Sequence, residues 1–251
     1  MSDLKGRLAL ITGATRGIGR AIAKRYAQEG INLILIGRTV EALEKIDDEL
    51  SGYDVNTTLV PLDLRQTSGI EEMAHSIASR FHHLDILVGN AGILGSLMPL
   101  THLPSSVWDE VWQVNFFANW HLLKAFEPLL KKSIAGRAVF VTSGVTQNSH
   151  PFWGAYSLSK KALEEMVYLY ASENTHENSI KVNLVDPGRV RTAMRAQAMP
   201  GEDPLSVPQP SEIMKIFVKL ASSQMQESGK RFRAESFKNL PASKSINDFK
   251  V

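Results

Sequence analysis

The sequence predicts an α/β protein built on a doubly wound parallel sheet, because short apolar runs alternate with longer segments of helical periodicity. The short runs are apolar at consecutive positions, which is typical of strands covered by helices on both faces. No internal repeat or low-complexity stretch interrupts this alternation. At 251 residues the chain fits one large domain, 1–251, more naturally than two.

The alternation predicts six strands and five helices in order. The strands are 8–12, 33–36, 58–60, 86–88, 138–141 and 182–185. The helices are 17–29, 39–50, 67–81, 104–131 and 155–175. After Pro187, clustered prolines at 189–211 predict a long loop or a short broken helix, which commonly serves as a substrate lid. The polar tail, 237–251, is expected to end near the surface.

Composition excludes several function classes. Lys and Arg number 28 against 26 Asp and Glu, so the charge favours neither a nucleic-acid partner nor a membrane. Cysteine is absent, which excludes disulfides and thiol chemistry, and the seven histidines lack the spacing of a metal site. The chain shows no apolar signal segment and no apolar run near the ~20 residues that span a bilayer, so a cytoplasmic location is expected.

The two longest predicted helices, 104–131 and 155–175, are apolar on more than one face. One apolar face of a helix normally packs on the core, and a second face indicates contact with another subunit. The sequence therefore predicts a homodimer or homotetramer that forms through these two helices.

A glycine-rich turn joins the first predicted strand to the first helix. It reads Thr12-Gly13-Ala14-Thr15-Arg16-Gly17-Ile18-Gly19. Glycines permit a tight turn and a close backbone approach, while the helix N-terminus presents free N–H groups to a phosphate. Three glycines at one junction favour a phosphate cradle over a simple connecting turn.

The end of the second predicted strand, Gly37-Arg38, bears on the choice of cofactor. An acidic side chain here would accept the 2′-hydroxyl of the NAD ribose, whereas a guanidinium suits the 2′-phosphate of NADP. Arg16 in the glycine turn can flank the same phosphate. The two arginines together favour NADP(H).

Tyr156 and Lys160 lie four residues apart on a predicted helix, so their side chains share one face. A fixed cation beside a phenol stabilises the phenolate and lowers the pKa of the tyrosine. The pair can therefore donate or accept a proton, although this spacing also arises by chance on surface helices. Ser143, thirteen residues before Tyr156, favours the catalytic interpretation.

With the glycine turn, Asn90-Ala91-Gly92, Ser143, Tyr156 and Lys160 in this order, residues 5–235 resemble the short-chain dehydrogenase/reductase family, in its branch of about 250 residues. The resemblance implies a Rossmann-like sheet of about seven parallel strands with helices on both faces. It also implies a nicotinamide cofactor and hydride transfer at a carbonyl or alcohol carbon.

The resemblance assigns roles to single residues. Tyr156 matches the general acid for reduction, or the general base for oxidation. Lys160 matches the residue that lowers the tyrosine pKa and holds the nicotinamide ribose. Ser143 matches the residue that donates a hydrogen bond to the substrate oxygen. Asn115 matches an asparagine that anchors a water chain for proton relay. The expected cofactor-binding residues are Gly13, Thr15, Arg16, Gly17, Ile18, Gly19, Arg38, Asp63, Leu64, Asn90, Ala91, Gly92, Tyr156, Lys160, Pro187, Gly188, Val190 and Thr192. The alternative for Asp63 and Asn115 is a purely structural role in bridging or capping backbone groups.

Gly89 departs from the family pattern, which often has an asparagine there, so looser support of the fourth strand is expected. Segments 192–196 and 200–204 resemble a bacterial subgroup of these oxidoreductases whose natural substrate is poorly defined. That likeness indicates lineage more than chemistry.

The expected substrate pocket is apolar and aromatic, which fits a carbonyl compound with hydrophobic parts. Its candidate lining is Ile93, Leu94, Leu97, Gly144, Val145, His150, Phe152, Trp153 and Met194. Arg191 and Arg195 can attract an anionic group or can be solvated lid charges.

Three functions remain open at this point. The first is an NADPH-dependent carbonyl reductase. The second, a 3-oxoacyl-thioester reductase of fatty-acid synthesis, needs a basic surface for an acyl carrier protein, with Lys131, Lys132 and Arg137 as candidates. The third is a sensor or scaffold that binds NADP(H) without turnover, because a fold alone does not establish catalysis.

Overall fold

The structure, a computed structural model, describes residues 3–176 and 180–237. Within them, seven strands form one sheet in the order β3-β2-β1-β4-β5-β6-β7, and every neighbouring pair is parallel. The strands are β1 (Leu8–Thr12), β2 (Asn32–Gly37), β3 (Thr57–Pro61), β4 (Ile86–Gly89), β5 (Arg137–Val141), β6 (Lys181–Asp186) and β7 (Lys230–Arg233). The predicted doubly wound, Rossmann-like fold is confirmed.

Eight α-helices connect the described strands. They are α1 (Gly17–Gln28), α2 (Val40–Leu50), α3 (Thr67–Arg80), α4 (Ser105–Trp112), α5 (Ala118–Lys131), α6 (Gly154–Glu173), α7 (Ala193–Ala198) and α8 (Met214–Ala221). The strand order reverses between β1 and β4, and in such sheets ligands bind in the crevice outside the carboxyl ends of the strands at this reversal.

Two apolar cores explain why the strands are apolar at consecutive positions. Leu33 and Leu35 of β2 belong to a core with α1, α2 and α8, whereas Ile34 and Ile36 belong to the opposite core with α3, α5 and α6. Successive strand residues point to opposite faces of the sheet. The central strands therefore bury both of their faces.

The predicted helix 104–131 is wrong as one continuous α-helix. A π-turn at Gln113–Phe117 separates α4 from α5. Such turns insert one extra residue into a helix and occur frequently at functional sites. Asn115 lies at the centre of this turn, so its backbone departs from α-helical geometry at a candidate catalytic residue.

Strand β7 was not predicted, because its sequence Lys-Arg-Phe-Arg contains one apolar residue, the buried Phe232, between charged residues. It lies at the edge of the sheet, where only one neighbour covers it. The resemblance to a known family implied a seventh strand that the residue pattern did not locate.

The segment 189–211 contains the short helix α7 and a 3₁₀ turn at Pro204–Ser206, in agreement with the predicted broken helix. Arg195 binds Glu202 through two hydrogen bonds of 2.6 Å, which closes this segment on itself. Of the polar tail, only Phe237 lies within the described residues, where it is buried; the rest of the tail lies outside them.

Candidate active site

The glycine turn is packed against the start of α1 so closely that a side chain is impossible at its last glycine. A Cβ placed on Gly19 would lie 2.1 Å from the carbonyl oxygen of Gly13 and 2.5 Å from Nδ2 of Asn90. Asn90 in turn donates a 2.9 Å hydrogen bond to the carbonyl of Thr12. The turn and the end of β4 therefore hold each other in place beside the N-terminus of α1.

Thr12 is a residue of the site that the sequence analysis did not assign. Its hydroxyl donates to the carbonyl of Val88 and accepts from the backbone N–H groups of Asn90 and Ala91 at 3.0 Å. A buried threonine at the end of β1 thus fixes the loop after β4. Its position at the junction of a strand and a glycine turn was the available signal.

One cavity of about 1190 Å³ runs from the glycine turn to the N-terminal half of α6. Of the expected site residues, Ser143, Tyr156, Lys160 and the cofactor-binding set line its wall, with the exception of Gly19. Asn115 lies behind the wall and is fully buried. The structure therefore brings the predicted residues together at the carboxyl edge of the sheet.

Tyr156 is buried at the start of α6, and burial raises the pKa of its phenol. A hydrogen bond with Ser143 opposes this shift, while the carboxylate of Asp186 adds to it. The net shift of the Tyr156 pKa is therefore upward, opposite to the lowering expected from Lys160, because desolvation of the phenolate is the larger effect.

Lys160 is buried one turn further along α6. Desolvation lowers the pKa of its ammonium to about 8, and the nearby carboxylate of Glu164 partly opposes the shift. Nζ donates a 2.8 Å hydrogen bond to the carbonyl of Val141 at the end of β5. Lys160 is thus a fixed, partly desolvated cation at the cavity wall.

Asn115 uses its side chain to hold the loop after β4. Oδ1 accepts from the N–H of Ile93 at 2.8 Å, and Nδ2 donates to the carbonyl of Ile93 and to the hydroxyl of Ser159. Ser159 lies between Tyr156 and Lys160 on α6. Asn115 therefore links the π-turn, the loop and the catalytic helix, which agrees with the structural alternative for this residue.

The end of the cavity at β2 and β3 is basic. Arg16 and Arg38 line the cavity, and neither forms an ion pair with another described residue. Asp63 is instead bound by Arg65, which also reaches Glu110 at 2.9 Å and was not among the expected site residues. Arg65 and neighbouring Arg38 both hold the pKa of the Asp63 carboxyl below its usual value.

The substrate side of the cavity agrees only in part with the sequence analysis. Ile93, Leu94, Val145, Trp153 and Met194 line it as expected. Gly144, His150, Phe152 and Leu97 do not. Phe152 is exposed and has a left-handed backbone with φ of 74°.

Two charge assignments change with the structure. Arg195 pairs with Glu202 and is therefore not a free anion-binding group, while Arg191 has a buried Nε without a hydrogen-bond partner among the described residues. Arg137 is buried and donates to the carbonyls of Ser222, Gly136 and Ser223, so the expectation that it lies on a basic surface is wrong.

Within residues 3–176 and 180–237, no group of three acidic or histidine side chains could hold a metal ion. The same residues include no helix long and apolar enough to cross a bilayer.

The residues of the cavity fit a dinucleotide. The glycine turn offers the N-terminus of α1 to a pyrophosphate, and Arg16 and Arg38 remain available for a further phosphate. A Cβ placed on Gly92 would lie 3.4 Å from Nζ of Lys160, so the backbone at Gly92 lies close to the lysine ammonium. Fold and cavity together define a dinucleotide-binding oxidoreductase of the Rossmann type.

Comparison with known proteins gives the particular family. The family model described as short chain dehydrogenase matches residues 7–203. The uncharacterized oxidoreductase YciK of Escherichia coli K12 is 37% identical over 236 residues, which cover 92% of this chain and 93% of that protein. The chain belongs to the short-chain dehydrogenase family.

Solved structures agree with this placement. A short chain dehydrogenase from Escherichia coli CFT073, complexed with NADPH, is 37% identical with a TM-score of 0.86, and the match covers 93% of this chain and 98% of that one. One from Shigella flexneri 2a, complexed with NADP, is 36% identical with a TM-score of 0.87, over 94% and 100% of the two chains. One from Salmonella enterica serovar Typhi is 37% identical with a TM-score of 0.89, over 94% and 98%.

Proposed function

We propose that the protein is an NADPH-dependent oxidoreductase that reduces a carbonyl compound, or oxidises the corresponding alcohol, with Tyr156 as general acid or base. The observation that carries this proposal is one cavity lined both by the glycine turn and by Ser143, Tyr156 and Lys160. A proton-transfer group and a dinucleotide cradle in the same cavity are what hydride chemistry at a carbonyl requires.

In this mechanism NADPH supplies the hydride that reaches the carbonyl carbon. The phenol of Tyr156 gives its proton to the carbonyl oxygen, and the hydroxyl of Ser143 donates a hydrogen bond to the same oxygen. Lys160 stabilises the resulting phenolate as a neighbouring cation. Asn115 binds the loop at Ile93 and Ser159 of α6, which fixes the position of this part of the cavity wall relative to Tyr156. In oxidation the phenolate of Tyr156 would take the proton of the alcohol hydroxyl, and the hydride of the carbinol carbon would pass to NADP⁺.

The preference for NADP(H) over NAD(H) rests on charge. The 2′-phosphate distinguishes the two cofactors, and Arg16 and Arg38 line the cavity without forming a salt bridge to another described residue, although Arg38 lies near enough to Asp63 to lower the pKa of its carboxyl. The two relatives complexed with NADPH and NADP support the same choice. The cofactor-binding residues expected from the sequence, including the segment Pro187–Thr192, are part of this proposal. So are the single domain and the substrate lid at 189–211.

Self-association is a second part of the proposal. Phe117 and Trp120 of the π-turn and α5 are each more than 40% exposed, and Leu158 and Leu169 of α6 are exposed as well. Large apolar side chains on two neighbouring helices favour burial against another subunit. A homodimer or homotetramer would cover them.

The alternative of an acyl carrier protein partner has lost support. Arg137 is buried, and Lys131 forms an ion pair with Glu127 on its own helix. Lys132 remains as an exposed cation, and one charge is a weak basis for docking an acidic protein.

The proposal is tested by a panel of ketones, aldehydes and acetoacetyl thioesters with NADPH consumption as the readout. Turnover of at least one carbonyl compound is the expected result. Turnover restricted to acetoacetyl thioesters would favour the fatty-acid alternative. Tight NADPH binding with no turnover across the panel would contradict catalysis and favour a sensor or scaffold.

A further inference from the structure

Four charged side chains lie together at the cavity wall; three are buried, and the side chain of Arg231 is 12% exposed. We name them the buried charge cluster: Lys160 and Glu164 of α6, Asp186 of β6 and Arg231 of β7. The carboxylates of Glu164 and Asp186 have side chains only 2% exposed. The two carboxylates and the two cations balance, and removal of one partner from such a group leaves an uncompensated charge.

Glu164 holds the residues on either side of Ser143. Its Oε1 receives hydrogen bonds from the hydroxyls of Thr142 at 2.7 Å and Thr146 at 2.8 Å. Both threonines lie on the segment that follows β5, and Glu164 is on the helix that carries Tyr156 and Lys160. One carboxylate thus ties the serine segment to the catalytic helix.

Arg231 connects this carboxylate to the end of β6. Its Nε donates to Glu164 at 3.1 Å, and its Nη2 donates to Asp186 at 2.8 Å. The same Nη2 lies 3.4 Å from the carbonyl oxygen of Ser143. Asp186 also accepts from the N–H of Gly188 at 3.0 Å, at the start of the segment Pro187–Thr192 that is expected to bind the cofactor. A guanidinium can satisfy several such acceptors because its donors are fixed in a plane.

We propose that Arg231 is a positioning residue for the active site, which holds the Ser143 segment directly and through Glu164, holds the turn at Gly188 through Asp186, and balances the charge of the two carboxylates beside Tyr156 and Lys160. The inference rests on the catalytic role proposed for Tyr156. Strand β7 would then contribute to catalysis although none of its residues lines the cavity.

The electrostatic consequence has a definite sign. Asp186 raises the pKa of Tyr156, and Glu164 raises the pKa of Lys160. Outside the cluster, Lys161 lies 3.8 Å from Glu164 and Arg233 lies 3.8 Å from Asp186, but these two side chains are 62% and 61% exposed, so solvent screens them. Loss of Arg231 leaves one excess negative charge and disfavours the phenolate.

The test uses the pH dependence of kcat/KM for NADP⁺-dependent oxidation of the alcohol matching the best carbonyl substrate. Oxidation needs the phenolate, so activity rises with pH through the pKa of Tyr156. In Arg231→Gln the rising limb of the pH profile should shift to higher pH by about one unit. In Asp186→Asn the rising limb should shift to lower pH, because one negative charge is removed. In the double variant the charges balance again, and the limb should return close to that of the wild type.

A second readout does not depend on turnover. Ultraviolet titration of tyrosinate in the NADP⁺ complex, taken as the difference between each protein and the same protein carrying Tyr156→Phe, should show the same opposite shifts. Lys161→Gln is the matched control, because it removes one positive charge near Glu164 from an exposed side chain, and it should leave the limb nearly unmoved.

The outcomes separate this inference from the proposed function. If Tyr156→Phe keeps full turnover, the role of Tyr156 in the proposed function fails, whereas no turnover by the wild type across the carbonyl panel would overturn the proposed function as a whole. If Tyr156→Phe abolishes turnover while Asp186→Asn and Arg231→Gln both leave the limb and the titration unmoved, the positioning role of Arg231 is wrong. If Arg231→Gln does not fold, the downward shift in Asp186→Asn and its reversal in the double variant still decide the question, and their absence overturns the inference.

Discussion

The ammonium of Lys160 donates a 2.8 Å hydrogen bond to the carbonyl oxygen of Val141. This contact joins α6, which carries Tyr156, to the end of β5, two residues before Ser143. The lysine is buried, so the fold holds a cation in a place where its charge is costly. The buried ammonium of Lys160 thus lowers the stability of the folded protein at a site where its charge assists the proposed proton transfer.

The buried lysine predicts how stability changes with pH. The pKa of Lys160 is about 8 in the folded protein against an ordinary value of 10.5, so between these values the unfolded chain binds more protons. The free energy of unfolding should therefore gain a contribution from Lys160 as pH rises from about 8 to about 10, with a slope of up to about 1.4 kcal/mol per pH unit. Urea unfolding of wild type and Lys160→Met across this range measures it. The difference between the two proteins should vary with pH; a constant difference would contradict the lowered pKa.

Gly89 cannot carry a side chain in this structure. A Cβ there would lie 2.3 Å from Cδ1 of Phe140 and 2.4 Å from Oδ1 of Asn119. The end of β4 is therefore tightly packed, and the expectation of looser support at this departure from the family pattern is wrong. Gly89→Ala should lower the free energy of unfolding by about 1–3 kcal/mol through overpacking.

Gly52 provides the matched control for that variant. A Cβ added to Gly52 would meet no atom within 4 Å, and its φ is not positive. Gly52→Ala should change stability by less than about 1 kcal/mol in the same urea titration. Equal effects of the two substitutions would show that the packing around Gly89 is not the cause.

Arg38 is predicted to select the cofactor. Replacement by aspartate removes a cation and places a carboxylate where it can accept the 2′-hydroxyl of NADH and repel a 2′-phosphate. In Arg38→Asp the dissociation constant for NADPH should rise at least tenfold and that for NADH should fall, as measured by cofactor fluorescence. Equal affinity of the wild type for both cofactors, or tighter NADH binding, would remove the basis of this assignment.

Asn115 is expected to affect both stability and turnover. Asn115→Leu loses the hydrogen bonds to Ile93 and Ser159, so the loop after β4 is no longer fixed to α6. Unpaired buried backbone groups cost about 1–3 kcal/mol each, and kcat should fall at least tenfold at temperatures where the variant is folded.

Asn183 separates the two effects of that change. It is a buried asparagine that bonds the backbone of Glu227 and Lys230 and does not line the cavity. Asn183→Leu should lower stability to a similar extent but leave kcat within about twofold, because its partners Glu227 and Lys230 lie outside the cavity. Arg231, next to Lys230, keeps its own bonds to Glu164 and Asp186. A similar fall in kcat for both variants would mean that loss of stability alone explains the Asn115 result.

The sequence predicts those parts of the fold that depend on local patterns. The runs of consecutive apolar residues correctly predicted six strands. The cavity of the structure is lined by the glycine turn and by Tyr156 and Lys160, which the sequence had predicted as site residues. Strand β7 escaped because an edge strand needs few apolar residues. The π-turn around Asn115 escaped because its side-chain periodicity differs little from that of an α-helix.

The remaining errors concern contacts between residues distant in the chain. Arg137 resembles a surface cation in the sequence, but backbone carbonyls from around α8 bind its guanidinium in the interior. Arg231 has a charged local sequence, and its partners Glu164 and Asp186 lie 67 and 45 residues away. Local patterns contain no information about such pairs, so the buried charge cluster emerges only from the structure.

The central claim is that Tyr156 transfers the proton in a reductase reaction. The most direct measurement compares wild type and Tyr156→Phe for NADPH binding and for turnover of the best carbonyl substrate. The variant should bind NADPH with a dissociation constant within about threefold of the wild type, while kcat/KM falls about 10²–10⁴-fold with the loss of the acid. Unchanged turnover in Tyr156→Phe, with NADPH still bound, would contradict the assignment.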